Sequence, residues 1–122
     1  MADPILIVED HKETLEAIKD LFRAEGYTVE SAENGEAAIE RITFKKYSLV
    51  LLDVMLPRVD GFEVCRRIRL DTKNKATPVI MLTALDISEI GKKSAECGAN
   101  DLMIKPFQSD ILIGKVKKLV EG

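Results

Sequence analysis

Four short aliphatic runs in the chain each stop at a polar side chain able to do chemistry. Ile5-Leu-Ile-Val8 is followed by Glu9 and Asp10, Leu49-Val-Leu-Leu52 by Asp53, Pro78-Val-Ile-Met-Leu82 by Thr83, and Leu102-Met-Ile104 by Lys105. A polar residue after a strand is the ordinary way for a chain to re-enter water, so each position alone carries little weight. Gathered at one edge of a sheet, they would bring three acids, a hydroxyl and an amine into one pocket. Carboxylates there repel one another by about 4 kcal/mol per pair at about 4 Å and an effective dielectric of about 20, so they must take up protons, spread apart or hold a cation. A hard divalent ion suits this donor set, because Mg2+ takes one or two carboxylates, keeps several waters and completes its octahedron with phosphate oxygens. An aspartate beside such an ion and an ammonium can attack a phosphoryl group whose charge the cations neutralise. In that arrangement Asp53, on the central strand, is the best placed nucleophile. Lys105 pairs with the phosphoryl oxygens, Thr83 hydrogen-bonds one of them, and Glu9 and Asp10 serve the metal.

The segments between these runs must hold them in register. Leu15, Ile18, Leu21 and Phe22 recur at helical spacing and stop at Gly26, which predicts an amphipathic helix over residues 12–25. Tyr27-Thr-Val29 reads as the second strand, Asn34-Gly35 as a turn and cap, and Ala37, Ala38, Ile39 and Ile42 as the inner face of a second helix. A turn at Asp60-Gly61 precedes a third helix marked by Phe62, Cys65 and Ile68. The fourth helix, over residues 86–97, is the weakest, with Ile87, Ile90 and Ala95 as its clear core candidates. Gly91 costs it about 1 kcal/mol relative to Ala, so it is expected to be the most mobile element. Gly98 closes it, and Ile111, Leu112, Val116, Leu119 and Val120 line a last helix. Strands that are aliphatic throughout are buried on both faces, as in parallel sheets, and strands alternating with helices imply right-handed crossovers. The expected fold is α/β, a doubly wound five-stranded parallel sheet of order 2-1-3-4-5 with five helices. Ligands in that topology sit outside the carboxyl ends of the strands, near the switch point between the first and third. That is where the acids fall.

Composition agrees with a single folded unit spanning residues 1–122. An apolar share of 46% can build a core, and 18 basic against 21 acidic residues leave a net charge of −3, which excludes a disordered chain and a polybasic nucleic-acid surface. No apolar run reaches the length of about 20 residues that spans a bilayer. The Met-Ala-Asp-Pro start also lacks a basic segment followed by an apolar one, so no membrane contact and a cytoplasmic location are expected. Cys65 and Cys97 are too few for a disulfide framework or a zinc site and read as reduced helix residues.

Taken in order, Val8-Glu9-Asp10, Leu51-Leu52-Asp53-Val54-Met55-Leu56-Pro57 with Asp60-Gly61, Met81-Leu82-Thr83-Ala84, Gly98-Ala99-Asn100-Asp101 and Lys105-Pro106-Phe107 closely resemble the receiver domain of two-component response regulators. The resemblance covers essentially the whole chain. It implies reversible phosphorylation on aspartate by a sensor histidine kinase, with the receiver supplying most of the catalysis of its own phosphorylation and dephosphorylation and acting otherwise as a regulator rather than an enzyme. Carried onto this chain, it makes Asp53 the phosphoacceptor, Asp10 a direct ligand of Mg2+ (Mn2+ as substitute), Glu9 a ligand acting partly through water, and the backbone carbonyl of Met55 a further ligand. It makes Lys105 the phosphate-binding amine, the bond to Pro106 a cis peptide, and Thr83 the switch hydroxyl, with the small Ala84 leaving a path for the donor. Met55 and Leu85 fall where family members tune dephosphorylation, and two apolar side chains there are expected to hinder the attacking water. One departure stands out: Leu102 occupies the position where many receivers carry Tyr or Phe. Switching is therefore expected through packing around Leu102, the fourth helix and the fifth strand rather than through an aromatic flip.

The implied partners are a sensor histidine kinase or a histidine phosphotransfer domain and a downstream protein, without direct nucleic-acid contact, the chain being a monomer or a phosphorylation-dependent homodimer. An alternative role is a phosphorelay intermediate passing phosphate onward to a histidine phosphotransfer domain. A phosphohydrolase of the haloacid-dehalogenase type needs a second acid two residues after its nucleophile, where this chain has Met55. A flavodoxin-like nucleotide binder needs a Gly/Ser/Thr-rich loop after the first strand, where this chain has Glu9-Asp10-His11-Lys12. A receiver-like partner-binding module without chemistry would not need the acid, hydroxyl and amine set. His11 reads as a solvated residue opening the first helix. Lys115, Lys117 and Lys118 read as a wet helix face or as a contact for a partner. Leu15 is either core rim or part of a docking face with Thr14 and Ile18, and Phe107 either plugs the sheet end or touches the same kinase.

Overall fold

A computed structural model describes residues 3–84 and 87–122, and of residues 87–89 the backbone alone. Five strands and five helices alternate along it: β1 (Ile5–Val8), α1 (Lys12–Ala24), β2 (Val29–Ala32), α2 (Gly35–Phe44), β3 (Leu49–Asp53), α3 (Gly61–Leu70), β4 (Val79–Thr83), α4 (Ile87–Cys97), β5 (Asp101–Ile104) and α5 (Ser109–Glu121). The strands form one parallel sheet in the order β2-β1-β3-β4-β5. This is the doubly wound architecture read from the sequence. No helix among the described residues is long and apolar enough to cross a membrane.

Strand alternation explains why the three central strands are aliphatic throughout. Leu6, Val8, Val50, Leu52, Val79 and Met81 face the layer of α2, α3 and α4, where they meet Ala38, Ile42, Val64, Cys65, Ile68 and Ile90. Ile5, Ile7, Leu49, Leu51, Ile80 and Leu82 face the opposite layer and meet Leu15, Ile18 and Phe22 of α1 and Leu112, Ile113 and Val116 of α5. Each such side chain contributes about 1.5–3 kcal/mol when fully buried, so a polar residue at any of these central positions would be expelled toward the sheet edge. Along these three central strands acids accordingly appear only at or just past the ends, Asp53 closing β3 and Glu9 and Asp10 following β1. Helix starts are secured locally: Asn34 Oδ1 accepts from the Ala37 N–H at 2.8 Å, and Asp60 Oδ1 from the Glu63 N–H at 3.0 Å. Gly26, at φ +92°, ends α1 in the left-handed conformation that a Cβ would disfavour.

Several elements depart from the pattern in the sequence. The second strand is Val29–Ala32 rather than Tyr27–Val29, because the chain is still turning out of α1 at Tyr27, and sheet pairing starts where the Ile5 N–H donates to the Thr28 carbonyl at 2.9 Å. Its burial is partial, since an edge strand needs no continuous apolar run and so gives a weak signal. Ala95 is exposed and Ile90 buried, so α4 turns a different face inward than Ala95 suggested. On α5, Ile111 is 47% exposed while Ile113 takes a core position; on α3, Val64 is buried while Phe62 only packs at the rim. Leu15 is a core residue, 3% exposed. Leu85 and the side chain of Ile87 lie outside the described residues.

The end of the sheet opposite the acids is held by one polar side chain that gave no sequence signal. Asn74, fully buried, accepts from the Tyr47 N–H at 2.9 Å and the Thr77 hydroxyl at 3.0 Å, and its amide donates to the carbonyls of Ile42 and Lys45 at 2.8 and 2.9 Å. It thereby satisfies the backbone between α2 and β3 and ties it to the segment before β4. Asn74→Ala would leave those buried groups without partners, and a destabilisation of about 3 kcal/mol is expected. Urea unfolding midpoints of the two proteins check this; a change within about 0.5 kcal/mol, as for an ordinary surface substitution, would refute it.

Candidate functional site

Parallel strands of matched register bring the ends of β1, β3, β4 and β5 to one edge. Val8 pairs with Leu52, Asp53 with Leu82, and Thr83 with Ile104, so Glu9, Asp53, Thr83 and Lys105 emerge at nearly the same level. Backbone bonds lock this level: the Lys105 N–H donates to the Thr83 carbonyl at 2.7 Å, and the Val54 N–H to the Leu82 carbonyl at 2.9 Å. Lys105 reaches across the sheet edge. Its ammonium donates to Glu9 Oε1 at 2.6 Å and to Asp53 Oδ2 at 2.9 Å. Glu9, Asp10 and Asp53 each offer a carboxylate oxygen, and these oxygens lie within 4.8 Å of one another. Glu9, Asp53 and Thr83 are buried, and Asp10 is exposed.

Backbone donors position the acids. The His11 N–H bonds Glu9 Oε2 at 3.1 Å, and the Met55 N–H bonds Asp53 Oδ1 at 2.9 Å, leaving Asp53 with one oxygen toward that amide and the other toward Lys105. Burial raises the Glu9 carboxyl above the ordinary glutamate value, against the pull of its Lys105 and His11 bonds, and the neighbouring Asp53 charge adds to the rise. Burial alone would lower the Lys105 ammonium, yet its bonds to Glu9 and Asp53 and the charges of both acids hold it above the ordinary lysine value. The site is thus rich in negative charge with one ammonium inside it. Three hard oxygen donors this close, one of them open to solvent, match the donor set that Mg2+ prefers and suit no soft metal.

All the acids, the hydroxyl and the amine expected at this edge are there, and the Lys105-Pro106 bond is cis. Leu102, on β5 opposite Met81, packs against the α2–α4 layer rather than into the carboxylate cluster. Met55 projects its side chain to solvent at the mouth, 58% exposed. His11 is the N-cap of α1, its ring accepting from the Thr14 N–H, as its exposed position after the acids suggested. Lys115 and Lys117 are paired within the chain, with Asp101 at 2.7 Å and Glu25 at 3.0 Å, which favours the wet-face reading. Phe107 packs partly against the α1–α5 layer.

One contributor was missed in the sequence, where Asp60-Gly61 read as a turn and as part of the receiver-like pattern, with no role given to the glycine. Gly61 is buried directly behind Asp53: a Cβ there would sit 2.3 Å from the Asp53 carbonyl oxygen and 2.8 Å from the Val54 Cα. The loop after β3 folds back so tightly that the Gly61 N–H donates to the Val54 carbonyl at 2.9 Å. A Gly immediately after an N-cap Asp is the trace this leaves in sequence, but close approach of two backbones is a tertiary fact.

Known proteins resemble the chain in the same way. The family model of the response regulator receiver domain matches residues 5–117. The transcriptional regulatory protein ResD of Bacillus subtilis is 39% identical over 116 residues, which are 95% of this chain and 47% of that protein, so the chain spans about half the length of this relative. The crystal structure of a signal receiver domain of a histidine kinase from Syntrophus aciditrophicus superposes with a TM-score of 0.91 at 35% identity, covering 99% of this chain and 92% of that one. The receiver domain of the sensor histidine kinase PA1611 from Pseudomonas aeruginosa, solved with a magnesium ion coordinated in its active-site cleft, matches at a TM-score of 0.91 and 28% identity over 100% of both chains. With nearly every residue covered by one family model, and a relative above the identity at which fold and family go together, the chain belongs to the response regulator receiver domains of two-component systems.

Proposed function

We propose that residues 1–122 act as one receiver unit, a signalling switch that takes a phosphoryl group onto Asp53 from a sensor histidine kinase or a histidine phosphotransfer domain. The observation that carries this reading is the Lys105 ammonium held between Glu9 and Asp53 at 2.6 and 2.9 Å, with Asp10 completing a carboxylate cluster within 4.8 Å. Asp53 Oδ attacks the phosphorus of the donor, the bond to the donor nitrogen breaks, and an acyl phosphate remains on Asp53. Lys105 gives up part of its pairing with Asp53 and neutralises a phosphoryl oxygen; the Thr83 hydroxyl donates to another. Glu9, Asp10, Asp53 and the Met55 carbonyl would hold Mg2+, with Mn2+ as a substitute, and that ion when bound supplies the remaining charge neutralisation at the phosphoryl group. These residues do positioning and electrostatic work, which is most of what phosphoryl transfer requires.

Movement of Thr83 toward the phosphoryl group and repacking around Leu102 then change the α4–β5–α5 surface, which a downstream protein reads. No nucleic acid or membrane is contacted directly; the chain acts in the cytoplasm as a monomer or a phosphorylation-dependent homodimer. Exposed Met55 at the mouth supports the expectation of slow hydrolysis by hindering the attacking water, and an acyl-phosphate half-life of seconds would refute it. A second reading, onward transfer from Asp53 to a histidine phosphotransfer domain, gains support from the receiver domains of histidine kinases among the similar structures.

Incubation with Mg2+ and acetyl phosphate, followed by intact mass, tests the proposal. The wild type is expected to gain one phosphoryl group, the gain disappearing with a chelator and in Asp53→Asn. No gain by the wild type, or an equal gain by Asp53→Asn, would overturn it.

A further inference from the structure

The chain's two cysteines, separated by 32 residues in sequence, meet between α3 and α4. The Cys65 thiol donates to the Cys97 carbonyl at 3.4 Å, while the Cys97 thiol donates to the Ser94 carbonyl at 3.1 Å. Both are free cysteines. Their surroundings differ in a way that divides labour between them. Cys65 is fully buried, and its bond to Cys97 and its burial push the thiol far up. Cys97 is half-buried and lines an open groove of about 390 Å³ with Phe62, Arg66 and Lys93. Its bond with Cys65, the N–H groups of Ala99 and Cys97 and the nearby Arg69 guanidinium bring its thiol down to about 7, against the effect of burial. A solvent-reachable sulfur of depressed pKa beside a buried second thiol is the arrangement of redox-sensing cysteine pairs, in contrast to inert structural cysteines. Arg69 also donates to the Gly98 carbonyl at 2.9 Å, so it steadies the backbone right after Cys97.

We propose that Cys65 and Cys97 are a reversible dithiol–disulfide site that fastens the end of α4 to α3, with a low-molecular-weight disulfide as its oxidant. The Cys97 thiolate attacks one sulfur of the oxidant, whose S–S bond breaks, releasing one thiolate and leaving a mixed disulfide on Cys97. Cys65 then attacks the Cys97 sulfur, the mixed disulfide breaks and the second thiolate leaves. The two cysteines are oxidised, the oxidant is reduced to two thiols, and the two protons lost by the pair end on them. Burial dictates the order, because Cys65 can meet the oxidant only through Cys97. The bond closes a loop containing β4 and nearly all of α4, so it restricts the element whose movement carries the switch. That consequence rests on the reading of Asp53 above, whereas the thiol chemistry does not.

The test uses the whole chain in magnesium-free buffer with oxidised glutathione, followed by acid quench, alkylation and intact mass. Wild type is expected to end lighter by two hydrogens, with no alkyl group added, and to recover both thiols on reduction. Cys65→Ser is expected to stop at a mixed disulfide with glutathione on Cys97, and Cys97→Ser to leave Cys65 unmodified in the native state. Since a hydroxyl in the buried site of Cys65 could weaken the fold, Cys65→Ala is run beside it, and the wild-type result requires neither variant. The oxidised chain is also expected to unfold at higher urea than the reduced one, as a closed loop constrains the unfolded state. A wild type that stays in the mixed disulfide or keeps both thiols overturns the proposal, and so does modification of Cys65 in Cys97→Ser at the wild-type rate. Since none of these readouts involves Asp53, a failed phosphorylation experiment and a failed thiol experiment remain distinguishable.

Discussion

Lys105→Met is expected to slow phosphoryl uptake from acetyl phosphate by about 10²–10³, the usual cost of removing one group aimed at developing charge. The same substitution should lower stability in chelator by about 3 kcal/mol, because it removes the cation from two buried carboxylates. Glu9 and Asp53 are 1% and 5% exposed, too little for water to replace the ammonium. If Mg2+ takes the carboxylates that Lys105 now pairs with, as proposed above, the variant is expected to bind Mg2+ about tenfold tighter, and added Mg2+ should restore most of the lost stability. Uptake rates by intact mass, urea unfolding in chelator and calorimetric titration with Mg2+ give the three readouts. Unchanged uptake would remove Lys105 from the chemistry. Weaker Mg2+ binding would mean that Lys105 organises the acids rather than competing for them.

Gly61→Ala is expected to cost about 4 kcal/mol, beyond the usual overpacking penalty of about 1–3 kcal/mol, and to cut phosphoryl uptake by at least tenfold in the protein that remains folded. A Cβ at 2.3 Å from the Asp53 carbonyl oxygen and 2.8 Å from the Val54 Cα meets backbone on both counts, so no rotamer change relieves it. Relief requires β3 and the start of α3 to part, and β3 carries Asp53. The Met55 N–H, which holds Asp53 Oδ1 at 2.9 Å, lies in the loop that must shift. Unfolding midpoints and uptake rates measured at low temperature, where the variant is still folded, check both effects. Wild-type uptake by the folded variant would show that the close approach stabilises the fold without positioning the nucleophile.

Legibility of the fold followed the strength of the burial signal. Central strands buried on both faces must be aliphatic throughout, so Ile5–Val8, Leu49–Leu52 and Val79–Leu82 stood out, and their ends marked Glu9, Asp10, Asp53 and Thr83 directly. Edge elements answer to weaker constraints. Strand β2 is only partly buried, and its start was displaced by two residues into the turn at Tyr27. On α4 and α5 the sequence placed Ala95 and Ile111 inward, whereas Ala95 is exposed and Ile113 rather than Ile111 is buried, because helical spacing permits either face until the packing partner is known.

By itself, the order of residues determined which side chains would reach the sheet's carboxyl edge, since a parallel sheet sends every strand end to that edge. Tertiary structure alone decided that Lys105 lies between Glu9 and Asp53, that Gly61 must lack a side chain behind Asp53, that Asn74 closes the opposite end, and that two cysteines distant in sequence share one contact. Each of these depends on the separation between elements far apart along the chain. Such distances are set by how two helix layers pack on a twisted sheet, and residue type and spacing carry no record of them.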